Sequence, residues 1–205
     1  MTAERLHAFS DGVFAIVITL LVIEIHVPEA EEGGLWRALL EQWPSYAAYV
    51  VTFAIIGIMW VNHHALFGFV ARIDRPLLFL NLLLLLFVAL LPFSTALLAR
   101  HLHTPGNAEV AAAVYSANML GCAIAFNLLW RWIVRDARLV HAHIDVEAAR
   151  ARNRRFALGI LVYGATVGVS FVSAVVTLAL HGLIAVYYVF DQLAAAGTDP
   201  VETGP

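Results

Sequence analysis

Ser10 and Asp11 stand just before an apolar run near the start of the chain, Thr19 lies within it, and Glu24 follows its end. Away from water such groups must be paired. They can relay protons, meet cations or tie one helix to another. At 100° per residue, Phe9, Leu20, Ile23 and Val27 fall within about 40° of Ile16, and Arg5 lies on the same line. Thr19 sits about 60° to one side, and Asp11 and Ser10 lie on the opposite side of the helix, about 140° and about 120° from Ile16. The helix therefore has a branched aliphatic stripe and a separate polar corner. Both have plain explanations. Any packed helix shows a stripe at this spacing, and Ser10-Asp11-Gly12 could be a cap or a turn. Spacing alone does not find a pore.

Other polar residues carry weaker signals. His63 and His64 point about 100° apart on a helix, so one does not chelate with the other. The sequence has no HxxxH or cysteine cluster, and no metal site is expected. His101 and His103 could titrate near neutral pH from a loop. No nucleophile motif, phosphate loop or catalytic carboxylate pair is present, so neither an enzyme nor a resident cofactor is expected. Nothing points to nucleic acid.

The elements that must position these residues are membrane spans. The 205 residues are 61% hydrophobic and 13% charged, far from the balance of soluble domains. Crossing a bilayer takes roughly 20 mostly apolar helical residues. Apolar runs occupy Gly12 to Ile23, Trp43 to Phe69, Pro76 to Ala99 and Val110 to Trp130. A last stretch from Phe156 to Phe190 is too long for one crossing and should break near Ser173–Ala174. The expected fold is all-α and integral to the membrane, as a single unit over 1–192. Its six spans lie at about 4–26, 43–69, 76–99, 108–133, 154–172 and 174–191. Residues 131–155 read as a cytoplasmic extension of the fourth span plus a link, and 193–205 as a disordered tail. Glu4 and Asp11 interrupt any signal-peptide pattern. The one cysteine, Cys122, allows no intrachain disulfide.

All cationic side chains apart from histidine are arginines. With both termini cytoplasmic, Arg5, Arg72, Arg75, Arg131, Arg135, Arg138, Arg150, Arg152, Arg154 and Arg155 lie inside, and only Arg37 and Arg100 lie outside. That is a strong positive-inside bias. The inner arginines could touch anionic lipid, but they are more simply topology determinants. Glu29, Glu31, Glu32 and Glu41 suit an outer loop. Trp36, Trp43, Trp130 and Trp132 sit at span ends, as interface anchors do.

The segment Arg5-Leu6-His7-Ala8-Phe9-Ser10-Asp11-Gly12-Val13-Phe14-Ala15-Ile16 resembles the signature of the lysosomal potassium channel family in its bacterial branch. So do Trp43-Pro44-Ser45-Tyr46, Gly57-Ile58-Met59-Trp60-Val61-Asn62-His63-His64, Asp74-Arg75-Pro76-Leu77-Leu78 and Leu90-Leu91-Pro92-Phe93-Ser94-Thr95. The likeness runs over residues 3 to 192. Eukaryotic members carry two such units and pair as dimers. A one-unit chain is then expected to form a homotetramer in the bacterial inner membrane, with K+ and other monovalent cations as permeant partners. The resemblance implies that the first helix lines the pore, with Ile16 as the tightest ring, Leu20 and Ile23 as further rings and Thr19 as a hydroxyl layer. It also implies a structural polar network of Arg5, Phe9, Ser10 and Asp11 with Trp60, Asn62, His63 and Asn81. Asp11→Ala is expected to lose assembly.

No Thr-Val-Gly-Tyr-Gly-like loop is present to supply carbonyl rings. A ring of Ile16 side chains could instead shut by dewetting and open by small dilation. Glu24, just outside the stripe, could make an acidic outer mouth or a lateral ion pair. The competing reading is a proton-coupled secondary transporter or proton-permeable cation pathway using Asp11 and Glu24. Transporters usually show broken helices or inverted repeats, which this first helix lacks. A non-conducting scaffold subunit is a further alternative.

Overall fold

The computed structural model describes residues 3–135, 139–141, 147 and 153–196. These hold α1 (Ala3–Leu20), which tightens into a 3-10 turn (Leu21–Glu24), then α2 (Leu35–Glu41), α3 (Trp43–Phe67), α4 (Arg75–Ala89), α5 (Leu91–His101), α6 (Asn107–Ile133), α7 (Asn153–Ser170) and α8 (Ala174–Ala196). Glu4–Glu24, Trp43–Phe67, Arg75–His101 and Asn107–Ile133 are long and apolar enough to cross a membrane, and Leu158–Ser170 and Ala174–Phe190 are shorter apolar helices.

Local sequence explains the boundaries. Asp74 caps α4 by accepting the Leu77 N–H at 2.9 Å, with Pro76 in the first turn, where a missing N–H costs nothing. The expected third span is divided at Leu90. Pro92 has no N–H to give to the carbonyl four residues back, and its ring crowds that turn. The hydroxyls of Ser94 and Thr95 donate to the Leu91 carbonyl at 3.1 and 2.7 Å, which steadies the start of α5. The long last stretch breaks between Ser170 and Ala174, where the Ser173 hydroxyl accepts the Val176 N–H at 3.3 Å.

Two features depart from the sequence expectation. The acidic loop after the first apolar run contains α2, entered through Gly33 at φ 81, a left-handed conformation that glycine adopts without strain. Residues 139–141 pair with the segment that follows α3: the Ala71 N–H donates to the Leu139 carbonyl at 2.8 Å, and the His141 N–H to that of Phe69 at 3.2 Å. The rest of the expected link and most of the expected tail lie outside the described residues.

Contacts between helices set which ends lie together. Asn81 near the start of α4 meets Ser10 in α1, Trp60 near the end of α3 meets Asp11, and Trp132 at the end of α6 meets Asp74. Arg5, Arg72, Arg75, Arg131 and Arg135 thus share one end of the bundle, and Arg37 and Arg100 belong to the opposite end. Tryptophan depth is less uniform. Trp36 and Trp43 are exposed, whereas Trp130 is buried and meets Phe69 edge-on at 5.3 Å. A span-end position fixes depth but not direction, and Trp130 points inward.

α6 is the central helix, packed against α4, α5, α7 and α8. Its approach to α4 depends on Gly121, where a Cβ would overlap the Phe87 ring. Gly121→Leu should therefore push α4 from α6 and cost about 1–3 kcal/mol. Thermal unfolding in detergent should show a lower midpoint for this variant. Gly168→Ala, with open space around the added carbon, should leave the midpoint unchanged or slightly higher.

Candidate functional site

α1 has two opposed faces. Leu6, Ser10, Phe14, Val17 and Leu21 are buried against the rest of the bundle. Ile16, Leu20 and Ile23 on the other side are 60%, 42% and 68% exposed, and Phe9 extends the same stripe, whereas Val27, expected on it, lies in extended chain beyond the 3-10 turn. The aliphatic stripe is thus not the core of its own subunit. It points away from α3, α4 and α5, on which α1 packs.

The buried face is held by a polar chain from three helices. His63 of α3 donates through Nε2 to the Asn81 amide oxygen of α4 at 2.9 Å. The Asn81 amide nitrogen donates to Ser10 Oγ of α1 at 3.0 Å, and Ser10 donates to the Leu6 carbonyl at 3.0 Å. All three side chains are inaccessible to solvent. Phe14 and Phe67 flank the imidazole, with ring centroids at 5.4 and 4.4 Å. Ser10 and Asn81 find their partners inside the chain, as an apolar setting demands, whereas His63 bonds through Nε2 and its Nδ1 is buried without a partner.

Asp11 stands beside this chain and is only partly buried. Its carboxylate accepts the Trp60 indole N–H at 2.9 Å and faces His7 Nδ1 at 3.4 Å. The His7 ring lies 4.7 Å from that of His64. Phe9 is on the outward stripe, and Arg5 is exposed near the start of α1. Asn62, one residue from His63 and so rotated by about 100°, lines a separate cavity with Met59, Phe126, Tyr163 and Tyr188.

Thr19 is exposed on the flank of the stripe, and its hydroxyl faces the carbonyls of Ile16 at 2.8 Å and Ala15 at 3.0 Å. The one hydroxyl proton is committed to the helix, which leaves oxygen lone pairs for an outside partner. Glu24 ends the 3-10 turn and lines an open pocket with His26, Ser45, Phe93 and Arg100. Among the described residues, neither ion pair involves Glu24. No group of three potential metal ligands occurs there either.

A second buried seam was not singled out as a site from sequence. Thr52 and Tyr115 hydroxyls meet at 2.9 Å, Thr95 and Thr52 at 3.0 Å, and Asn118 donates to Ser94 at 3.2 Å. Its signal was available as isolated polar residues inside apolar spans, but their partners are 24 to 63 positions away.

Comparison with known proteins gives consistent results. The family described as "Endosomal/lysosomal potassium channel TMEM175" matches residues 5–92. A potassium channel of Streptomyces collinus is 58% identical over 190 residues, covering 92% of both chains. A potassium channel of Chamaesiphon minutus is 43% identical over 187 residues, covering 90% of this chain and 92% of the other. The crystal structure of a lysosomal potassium-selective channel TMEM175 homolog from Chamaesiphon minutus superposes with a TM-score of 0.83 at 41% identity, covering 92% of this chain and 97% of that one.

Asn81→Leu removes the amide that joins Ser10 to His63 and leaves both buried. Ser10 keeps its bond to the Leu6 carbonyl, but the His63 Nε2–H is left unsatisfied at a cost of about 1–3 kcal/mol, so the unfolding midpoint should drop clearly. Asp11→Ala should destabilise more than Asp11→Asn, whose amide oxygen can still accept from Trp60. Equal midpoints for the two Asp11 variants would refute a role for that bond.

Proposed function

Because the chain belongs to the endosomal/lysosomal potassium channel TMEM175 family, we propose that it is one subunit of a passive, potassium-selective membrane channel whose pore is lined by α1. The subunits form a homotetramer, and each contributes six crossing elements: α1, α3, α4 with α5, α6, α7 and α8. The observation that carries this reading is the outward stripe of α1. Ile16, Leu20 and Ile23 are exposed in the folded chain while the opposite face is bonded and buried. An apolar face left open by its own subunit must meet lipid or another copy, and a ring of copies around α1 encloses an axis.

Four Ile16 side chains around that axis form a narrow apolar constriction, which shuts when it dries and conducts when it widens slightly. The Leu20 and Ile23 rings extend it outward. Thr19 oxygens, with their protons turned to the helix, replace part of the water that a permeating cation sheds. Potassium loses that water at lower cost than sodium, which favours it at a narrow ring. Glu24 stands at the outer end and raises the local cation concentration. Ser10, Asn81, His63, Asp11 and Trp60 hold the helix in the rotation that aims Ile16 at the axis. Passive conduction needs no cofactor. The arginine-rich end faces the cytoplasm of a bacterial inner membrane, by the positive-inside rule, which puts both termini on that side.

Planar-bilayer recording of the purified protein under a potassium/sodium bi-ionic gradient tests the proposal. Unitary currents should reverse near the potassium limit, and Ile16→Asn should move the reversal toward zero. A loss of about 1.4 kcal/mol in discrimination corresponds to about a tenfold fall in the permeability ratio. Absence of unitary currents from folded protein would favour the transporter reading. Currents indifferent to Ile16 would remove α1 from the filter.

A further inference from the structure

At the end of the bundle away from the clustered arginines, a pocket of about 670 Å³ opens between the end of α1, the start of α3 and α5. Glu24, Ser45, Phe93, Leu97 and Arg100 are among the residues that line it. Glu24 and Arg100 bring opposite charges to one cavity, yet they do not pair with each other. Among the described residues, neither side chain has an ion pair or a hydrogen bond with any other group. His26 folds back, with Nδ1 2.9 Å from the Glu24 carbonyl oxygen, and this turn leaves the Glu24 carboxylate on the pocket wall. Glu24 ends one candidate span and Arg100 stands in the last turn of another. Both charges therefore lie where hydrocarbon gives way to lipid headgroups.

The α5 wall of the pocket changes character along its length. Phe93, Leu97 and Arg100 follow at intervals of four and three, which keeps them on one face of the helix. Phe93 is exposed within the span and Arg100 is exposed at its end, so the surface passes from apolar to cationic. Ser45 adds a hydroxyl from the first turn of α3, the end of the helix dipole that favours anions. An anion alone in this pocket would meet Glu24, and a cation alone would meet Arg100. A dipolar group satisfies both walls at once. A primary ammonium can donate to the carboxylate, and the planar guanidinium donors match phosphate oxygens in pairs.

We propose that this pocket binds the headgroup of phosphatidylethanolamine. Its phosphate meets Arg100 and Ser45, its ammonium meets Glu24, and an acyl chain lies over Leu97 and Phe93. The lipid thereby ties the end of α1 to α3 and α5. On the reading of α1 as a pore wall, the bound ammonium also offsets the field of Glu24 at the outer mouth, but binding itself does not depend on that reading.

Native mass spectrometry and thermal unfolding of the full-length, detergent-purified protein test this with three dioleoyl lipids. Phosphatidylethanolamine carries both charges and ammonium donors, phosphatidylcholine carries both charges without those donors, and phosphatidylglycerol carries only the anion. The wild type should retain phosphatidylethanolamine at concentrations where the other two are lost, and that lipid should raise its unfolding midpoint most. Arg100→Gln should bind phosphatidylethanolamine about tenfold more weakly, a change of about 1.4 kcal/mol. Glu24→Gln should weaken it to a similar degree and at the same time improve retention of phosphatidylglycerol, whose anion no longer meets a carboxylate. Both variants should match the wild-type midpoint in the absence of lipid. Equal retention of the three lipids by the wild type would overturn the proposal, as would undiminished phosphatidylethanolamine binding by either variant. Displacement of the lipid by millimolar O-phosphoethanolamine would identify a site for a soluble zwitterion instead.

Discussion

Asn81 is the side chain on which the placement of α1 depends. Its amide accepts from His63 on one side and donates to Ser10 on the other, so one buried group links three helices. In an apolar medium these bonds have no competition from water, and their absence would leave polar groups stranded. The bonds therefore act on rotation more than on cohesion. They select which face of α1 turns inward, and the opposite face, with Ile16, Leu20 and Ile23, is turned out by the same choice. An aliphatic stripe has little directional preference of its own. Its aim comes from the polar chain behind it.

The same logic recurs at the division between α4 and α5. Pro92 interrupts the helix, and hydroxyls gather around the nearby Leu91 carbonyl. Thr95 meets Thr52 of α3, which meets Tyr115 of α6, and Ser94 meets Asn118 of α6. The break becomes the junction of three helices, and the backbone N–H of Leu90 turns to the carbonyls of Leu86, Phe87 and Val88 ahead of it. The two polar seams sit at different levels of the bundle. They fix α3 against α1 and α4 at one level, and against α5 and α6 at the other.

Charge is arranged along the bundle axis rather than within it. Arg5, Arg72, Arg75, Arg131 and Arg135 gather at one end, where Asp74 serves at once as the cap of α4 and as the acceptor for Trp132. At the other end Glu24 and Arg100 line one pocket. Between these ends the described polar residues are mostly neutral and bonded in pairs or chains. This segregation suits a protein whose interior holds its helices in place and whose outward α1 face is left uncovered by the rest of the chain.

Much of this was legible in the residues alone. The apolar runs define the spans because hydrocarbon thickness sets helix length, and the break near Ser173–Ala174 follows from a stretch too long for one crossing. The two faces of α1 follow from helical period, since Ile16, Leu20 and Ile23 share a direction that Ser10 does not. Period gives faces, however, and not neighbours. That Asn81 rather than Asn62 meets Ser10, that Trp130 turns inward, and that the segment after α6 returns to pair beside Phe69 all depend on helix rotation and packing. Ser10 and Asn81 are 71 residues apart. No local pattern encodes such a meeting, because it is decided by which arrangement of whole helices brings distant polar groups together in the interior.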